Sequence, residues 1–430
     1  MKLNTRQTVL IGLSFASILA FWQFYDQIIP VILENHYGLP TLPTNAIMSI
    51  DNILAVFLLP FFGALSDKTS TRLGRRTPYI LFGTVAAVAL MIVLAVLTEQ
   101  KSFWGFFVCL MLLLIVMSVY RSPAVAYMPD VTPRPLRSKG NAVINLVGYI
   151  GGIFSTIIMT VLVVSTVRED GTLEYGSFIP IFSAIAAFML ITVLIMVFAL
   201  NENKIVREAG IDSETAPENV QSGEKLSEPV FKSLVFLLVS VFLWYTAYNG
   251  VTTSFSRYFA EHYSLDAGAS AKYLTFATIA AIVSFVPLGM LSSRLGRKKT
   301  ILTGVAVMTV CYGIIYLMPS AGLAMYIVFA VVGVAWAAIN VNSFPMAVEM
   351  CAAGDVGRYT GYYYAFSMGA QIFTPLFSGL LITWFSYEIL FPYAVVFSAA
   401  AFVTMMFVKH GDSKPVAKKS LLEHFDIDND

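Results

Sequence analysis

The sequence predicts an all-α integral membrane protein with twelve transmembrane helices arranged in two six-helix bundles. Hydrophobic residues make up 57% of the 430 residues and charged residues only 12%, against about 25% charged in a typical soluble domain. A water-soluble fold could not bury this much apolar surface, so most of it must face lipid. The lengths of the apolar runs and the placement of basic residues predict the same architecture.

Twelve apolar runs are long enough to cross a bilayer, which takes roughly 20 mostly apolar residues. We expect each run to be a helix, because backbone N–H and C=O groups cannot remain unpaired in lipid. The first run is too long for a cleavable signal peptide and contains Asp26, so it is predicted to stay in the protein. The predicted spans cover residues 8–33, 44–65, 79–98, 104–129, 140–165, 178–199, 231–257, 270–292, 300–318, 323–347, 359–384 and 388–408.

Basic residues are concentrated in alternate loops. Most of the 27 lysine and arginine residues fall on the side of the predicted spans that also holds both ends of the chain. Loops of this kind stay in the cytoplasm, so both termini are predicted to be cytoplasmic. We therefore expect a multi-pass protein of a plasma membrane or a bacterial inner membrane. The net charge of +1 gives no indication of nucleic-acid binding.

The longest polar segment lies between the sixth and seventh predicted spans. It is acidic and contains Gly, Ser and Pro, a composition typical of flexible linkers. The predicted domains are therefore an N-terminal bundle at 1–200, a cytoplasmic linker at 201–230, a C-terminal bundle at 231–408 and a cytoplasmic tail at 409–430.

The two halves of the chain repeat each other. Gly63 and Asp67 lie in the turn after the second span, and a related turn at residues 289–298 follows the eighth. Pro123 in the fourth span has a counterpart, Pro345, in the tenth. Repeats of this kind are typical of transporters whose binding site lies near mid-membrane between the halves.

Polar residues are distributed unevenly among the spans. Spans three, six, nine and twelve hold no acidic, amide or basic residue in their interiors, whereas most of the others do. Buried polar groups face a bundle interior or a cavity, because lipid cannot solvate them. Every third helix is therefore predicted to face lipid, and the other helices are predicted to line a central cavity.

The loop after span two resembles the loop motif of the major facilitator superfamily, with Gly63, Asp67, Arg75 and Arg76 at its marked positions. Residues 67–78 are longer than the usual form and are similar to the version in glycoside–cation symporters, especially the branch of plant sucrose transporters and related proton-coupled sugar transporters. Residues 121–130, 137–141, 340–345 and 357–361 carry the same resemblance. It implies two bundles that rock about a central solute site, with sugars as the usual cargo and a proton or sodium gradient as the driving force.

One departure from the sodium-using members of that group bears on the coupling ion. Aligned on Gly63 and Pro123, the positions of their cation-binding carboxylates are occupied here by Ala55, Leu59 and Arg121. Sodium requires oxygen ligands, and an arginine in that place would repel it. Proton coupling is therefore predicted in preference to sodium coupling.

Two acidic residues inside the spans are candidates for carrying the proton. Asp26 and Asp51 each lie about 10–12 Å below the predicted outer end of their span, at 1.5 Å per residue. Removal from water disfavours the charged form of a carboxyl group, which suits a group that must bind and release a proton. The alternative is that either residue is a hydrogen-bonded packing group with no part in transport.

A further set of side chains is predicted to bind the substrate. Amides and hydroxyls bind sugar hydroxyls, aromatic faces stack on sugar rings, and an arginine inside a span needs a partner. Interhelical packing is the alternative, because small and polar residues also gather where helices meet. The predicted set comprises Arg121, Gln23, Trp22, Tyr245, Asn249, Trp336, Asn340 and Gln371.

Charged residues at the inner helix ends are predicted to form a cytoplasmic gate. By resemblance these residues close one side of the protein through ion pairs, and Asp67 caps a helix N-terminus of the other half, where the helix dipole favours an anion. The alternative is ordinary positive-inside charge. The predicted gate comprises Gly63, Asp67, Arg75, Arg76, Asp130, Arg137, Glu349 and Arg358.

The predicted function is proton-coupled symport of a sugar, a disaccharide or a glycoside, by a monomer in the lipid bilayer. One alternative is a proton-coupled exporter of drugs or metabolites, although the amides in the spans argue against an apolar cargo. Another is a membrane sensor that does not transport, although sensors often carry longer tails. No nucleophile–base set, phosphate loop or metal-ligand spacing indicates an enzyme, and Cys109, Cys311 and Cys351 form no disulfide or metal pattern. We predict no metal site and no cofactor.

Overall fold

A computed structural model of the chain describes residues 3–162, 165–167, 173–208, 226–263, 267–351 and 355–412. The first half holds the helices α1 (Thr5–Val31), α2 (Thr41–Met48), α3 (Ile50–Asp67), α4 (Thr77–Glu99), α5 (Phe103–Asp130), α6 (Arg137–Leu162) and α7 (Ile179–Ala199). A short helix, α8 (Glu202–Glu208), follows. The second half holds α9 (Glu228–Tyr263), α10 (Ala267–Leu295), α11 (Arg297–Leu317), α12 (Leu323–Glu349), α13 (Val356–Phe385) and α14 (Leu390–Met406).

The prediction of twelve spanning helices in two bundles is confirmed. Twelve of the described helical segments are long and apolar enough to cross a membrane, and α2 runs into α3 to form the second of them. Some helices continue past the apolar run, as α9 does to Tyr263, because helical hydrogen bonding does not stop where hydropathy falls. Two short strands, β1 (Ser165–Val167) and β2 (Leu173–Tyr175), pair antiparallel between α6 and α7.

Large apolar side chains cover the outside of both bundles. Phe82 on α4, Phe198 on α7 and Leu317 on α11 are 67%, 85% and 78% exposed. Exposed apolar surface on this scale is stable only against lipid, so the chain is a multi-pass membrane protein. The interior of each bundle is packed with buried aromatic and aliphatic residues, among them Trp244 and Tyr120.

The two bundles meet along α3 with α13 and along α6 with α10. At Gly63 of α3 a side-chain carbon would collide with the backbone carbonyl of Gly357, the second residue of α13. Glycine is needed here because the two backbones approach so closely. We call the end of the bundles where α3 ends and α4 begins the basic face, because Arg72 and Arg134 lie there, and we call the opposite end the open face.

The start of the predicted linker is helical rather than flexible. Helix α8 is fixed because Asn203 donates hydrogen bonds from Nδ2 to the carbonyl oxygens of Thr71 and Arg72, at 3.2 and 3.0 Å. These bonds join α8 to the loop between α3 and α4. Residues 209–225 of the predicted linker and 413–430 of the predicted tail lie outside the described residues, and the domain boundaries remain predictions.

Candidate functional site

A buried ion cluster lies at the basic face, where the end of α3 meets the start of α13. The guanidinium of Arg76 contacts Asp67 at 2.6 Å and Asp130 at 2.7 Å, and its side chain is fully buried. Burial alone would lower the pKa of Arg76, but the carboxylates of Asp130 and Asp67 outweigh burial and raise it, so the side chain stays charged. The structure thus brings three of the predicted gate residues together.

Asp67 connects this cluster to the other half. Its carboxylate accepts hydrogen bonds from the backbone N–H groups of Gly357, at 2.8 Å, and Arg358, at 2.7 Å. These groups begin α13, where unpaired N–H groups and the helix dipole favour an anion. The side chain of Arg358 takes no part in this contact, because it donates to the hydroxyl of Tyr362 at 2.8 Å.

A second buried cluster lies at the basic face beside the start of α6. Glu349 Oε2 accepts from Arg137 at 3.3 Å across the bundle interface and from Arg297 at 2.8 Å within its own half. Arg297 also donates to Ser138 Oγ of the first half, at 2.9 Å. The prediction did not include Arg297, although Arg297 follows Gly296 just as Arg75 follows Gly74 in the internal repeat.

A central cavity lies between the halves, on the open-face side of these clusters. Its volume is about 790 Å³, within the range of small-molecule sites. Both bundles contribute to its wall, which reaches from Phe15 on α1 to Ser49 where α3 begins. Its other polar and aromatic lining residues are Trp22, Asp26, Asp51, Asn52, Arg121, Asn145, Asn249, Thr253, Tyr364 and Gln371.

Six of the predicted residues therefore share one cavity: Trp22, Asp26, Asp51, Arg121, Asn249 and Gln371. Asn52 and Asn145 line it as well and were not predicted. Asn52 follows Asp51 directly and could have been noticed as a second polar residue of the same turn. The helices predicted to face lipid, α4, α7, α11 and α14, contribute no lining residue among the described ones.

Arg121 is held between two aromatic rings at the cavity wall. Its guanidinium carbon lies 5.3 Å from the ring centre of Trp22 and 5.1 Å from that of Tyr364. Cation–π contacts at these distances stabilise a partly buried charge. Within the described part of the chain, Arg121 forms no ion pair with Asp26 or Asp51, so its N–H donors remain available to a ligand.

The two cavity carboxyl groups have different surroundings. The side chain of Asp26 is exposed to the cavity. One oxygen of Asp51 accepts a hydrogen bond from Asn52 Nδ2 at 2.8 Å. Two donors beside the cavity, Trp22 Nε1 and Asn249 Nδ2, are buried and have no acceptor among the described residues. Nearly all buried polar groups in proteins are hydrogen-bonded, so these two unpaired donors are unusual.

Four predicted substrate-binding residues do not line the cavity: Gln23, Tyr245, Trp336 and Asn340. Tyr245 donates to Asn340 Oδ1 at 3.2 Å, and the ring of Trp336 stacks on Tyr248 at 3.8 Å between centres. The backbone carbonyl of Asn340 also accepts from Asn141 of the first half at 3.1 Å. Tyr245, Trp336 and Asn340 thus belong to a packed region that joins the halves.

Three positions of this chain align with the cation-binding carboxylates of the sodium-using glycoside–cation symporters, and none of them holds a carboxylate here. Ala55 and Leu59 are buried and pack against Met368 of the other half. The third position is Arg121, whose charge opposes that of a cation.

Two curated relatives match parts of the chain. The α-ketoglutarate permease of Escherichia coli K12 is 28% identical over 138 residues, 32% of this chain and 31% of that protein. The lactose permease of Lactobacillus helveticus is 26% identical over 214 residues, 46% of this chain and 33% of that protein. The chain thus spans about a third of the length of the curated relatives it matches.

The fold is shared with solved transporters. The fucose:proton symporter FucP of E. coli, in its outward conformation, aligns with a TM-score of 0.67 at 14% identity, covering 94% of this chain and 99% of that chain. A sequence model described as Major Facilitator Superfamily matches residues 10–351 and 273–425. The chain belongs to the Major Facilitator Superfamily.

Proposed function

We propose that the protein is a secondary active transporter that carries a sugar, a disaccharide or a glycoside, together with a proton by alternating access. The observation that carries this proposal is the central cavity, which places Asp26, Asp51 and Arg121 beside amides from both halves. The cavity is closed towards the basic face by the two buried ion clusters. This is the arrangement that an outward-facing carrier needs before it binds its solute.

The chemistry of the cavity wall favours a sugar. Sugar hydroxyls both donate and accept hydrogen bonds, and the wall offers amides, carboxyl groups and a guanidinium for both purposes. Trp22 and Tyr364 add aromatic rings that suit the apolar faces of a pyranose. A hydroxyl oxygen would also supply the acceptor that Trp22 Nε1 and Asn249 Nδ2 lack. The names of the lactose permease and the fucose symporter support the same cargo class.

Proton coupling is favoured over sodium coupling. Asp26 and Asp51 are carboxyl groups in the cavity without an ion-pair partner among the described residues, so either can take up and release a proton without breaking a fixed salt bridge. Ala55 and Leu59 provide no oxygen for a sodium ion at the positions that sodium-coupled relatives use. We assign Asp26 and Asp51 as the proton-coupling residues.

The basic face is assigned to the cytoplasm, because loops rich in lysine and arginine remain there. Both termini are then cytoplasmic, and the cavity opens to the outside of a plasma membrane or a bacterial inner membrane. The transport unit is a monomer, since a single chain supplies both halves of the cavity.

Purified protein in liposomes tests this proposal. Labelled mono- and disaccharides are screened for uptake with a pH gradient, with a sodium gradient and with neither. We expect one sugar class to accumulate on the alkaline side, with accumulation abolished by a protonophore. Accumulation that follows sodium and ignores pH would overturn the proton assignment, and solute that moves against the proton flux would identify an exporter.

A further inference from the structure

The carboxylate of Glu202, which lies outside the spans, binds the start of α4. Glu202 is 3% exposed. Its Oε1 accepts from the backbone N–H groups of Arg75 at 2.8 Å and Arg76 at 3.0 Å. Its Oε2 accepts from the backbone N–H of Thr77 at 2.9 Å and from the Thr77 hydroxyl at 2.8 Å. The first residue of α8 thus satisfies the donors that a helix leaves unpaired at its N-terminus.

This contact fixes the backbone of Arg76, one of the predicted gate residues. Arg76 donates its backbone N–H to Glu202, while its guanidinium contacts Asp67 and Asp130. Asp67 in turn accepts from the first N–H groups of α13 in the other half. A chain of direct contacts therefore leads from α8 through Arg76 and Asp67 to the opposite bundle.

The second half contains the same arrangement. Asp412, which follows α14, accepts from the backbone N–H of Arg297 at 2.6 Å, where α11 begins. The guanidinium of Arg297 donates to Glu349 at 2.8 Å. Glu349 also accepts a hydrogen bond from Arg137 of the first half. In both halves an acid after the last spanning helix, α7 or α14, binds the start of the third spanning helix, α4 or α11. The arginine at that point then pairs with an acid that contacts the other half.

A glycine with positive φ precedes each of these contacts. Gly74 has φ +113° and Gly296 has φ +98°, a region that residues with a side chain rarely adopt. A side-chain carbon at Gly74 would also collide with the carboxylate of Glu202. The turn in each half is therefore shaped to admit the acid.

We propose that Glu202 and Asp412 are positioning residues that set the stability of the closed basic face by fixing Arg76 and Arg297. With its backbone fixed, Arg76 holds the carboxylate of Asp67 in place for the N–H groups of α13. Arg297 likewise holds Glu349 in place for Arg137. Acids that are already held in place lose fewer conformations when the halves meet, so closure is favoured. Neither acid is a lining residue of the cavity. This inference rests on the alternating access proposed above, but not on the sugar or the proton.

Cysteine accessibility in the full-length protein measures the two states without any substrate. Thr253→Cys reports the open cavity, because Thr253 lines it. Ala142→Cys reports opening of the basic face, because Ala142 is buried where α6 packs on Gly289 of α10. The three native cysteines are buried and give a low background. Each reporter is combined separately with Glu202→Gln or Asp412→Asn, and its rate of reaction with a membrane-permeant maleimide is measured.

We expect Glu202→Gln to slow labelling at position 253 and to speed labelling at position 142. The ratio of the two rates should change about fivefold, the size of effect typical of losing a helix cap. Asp412→Asn should act in the same direction. Glu228→Gln is the matched control, because Glu228 is 78% exposed and pairs with Lys232 on the surface, and it should leave the ratio unchanged.

Asp67→Asn separates failure of this inference from failure of the proposed function. If Asp67→Asn changes the ratio and Glu202→Gln does not, the positioning role is overturned while the gate stands. If neither variant changes the ratio, closure by these clusters is itself wrong. Faster labelling at both positions would mean local unfolding and would also overturn the positioning role. Glu202→Asp, which keeps the charge on a shorter side chain, should give an intermediate ratio.

Discussion

The guanidinium of Arg121 lies 5.1 Å from the ring centre of Tyr364, and these two residues belong to opposite halves of the protein. Trp22 flanks the same guanidinium at 5.3 Å from the first half. The charge in the cavity wall is therefore stabilised by ring faces rather than by a carboxylate. Because one ring comes from each half, both contacts form only when the two halves lie close together at the level of Arg121.

Replacing Tyr364 tests the importance of this contact for transport. Tyr364→Ala removes one ring from the guanidinium, and we expect the initial rate of sugar uptake to fall about tenfold, the effect of losing a partly buried cation–π contact. Tyr364→Phe keeps the ring and should stay close to the unmodified protein. Equal losses in both variants would assign the role to the hydroxyl group instead of the ring.

The close approach of α3 and α13 at Gly63 gives a second prediction. A methyl group there meets the carbonyl oxygen of Gly357 and the hydroxyl of Ser122, so Gly63→Ala should push the helices apart and prevent full closure. We expect uptake to fall at least about tenfold, because overpacking of this kind costs roughly 1–3 kcal/mol. Gly152→Ala is the control, because nothing lies within 4 Å of a side-chain carbon at that position. Similar losses in both variants would show that glycine content, rather than this contact, matters.

Hydropathy identifies the charged residues of the cavity but not every residue of the packed region between the halves. Asp26, Asp51 and Arg121 were predicted because an ionisable group inside an apolar run must face a cavity. Tyr245, Trp336 and Asn340 were also predicted on the interior face of their helices. Helical periodicity indicates which face a residue lies on, but not whether it reaches the cavity at its level in the membrane. These three residues lie in the packed region that joins the halves.

Glu202 and Asp412 were missed for a different reason. They lie in polar segments outside the spans. An acid there is normally solvated, and neither hydropathy nor helical periodicity distinguishes it from its neighbours. Only their positions after the last helix of each half relate them to each other. Their role depends on contacts with turns that are far away in the sequence. A single sequence does not reveal such contacts.

The cluster around Glu349 leads to a stability prediction. Glu349, Arg137 and Arg297 have side chains only 6%, 4% and 2% exposed. Glu349→Gln would leave two buried guanidinium groups without their shared carboxylate, so we expect the free energy of unfolding to fall by about 3 kcal/mol. Chemical denaturation in detergent measures this change.

Neutralising a solvent-exposed acid provides the comparison. Glu388 is 69% exposed and lies 4.0 Å from His262. Glu388→Gln should change the free energy of unfolding by less than about 0.5 kcal/mol, as is usual for surface pairs. A loss in Glu349→Gln as small as that in Glu388→Gln would mean that the cluster around Glu349 adds little to stability.

The cavity carboxyl groups give the most direct test of energy coupling. In Asp26→Asn the side chain can no longer bind and release a proton, so a pH gradient should no longer drive accumulation. Exchange of labelled for unlabelled sugar does not require net proton movement and should be partly retained. Asp51→Asn is measured in the same way, because Asp51 lies in the same cavity, and the variant that loses accumulation but keeps exchange identifies the coupling group. Glu261→Gln, at an exposed position of α9, should accumulate sugar normally, whereas an Asp26→Asn protein that still concentrates sugar would remove Asp26 from the coupling mechanism.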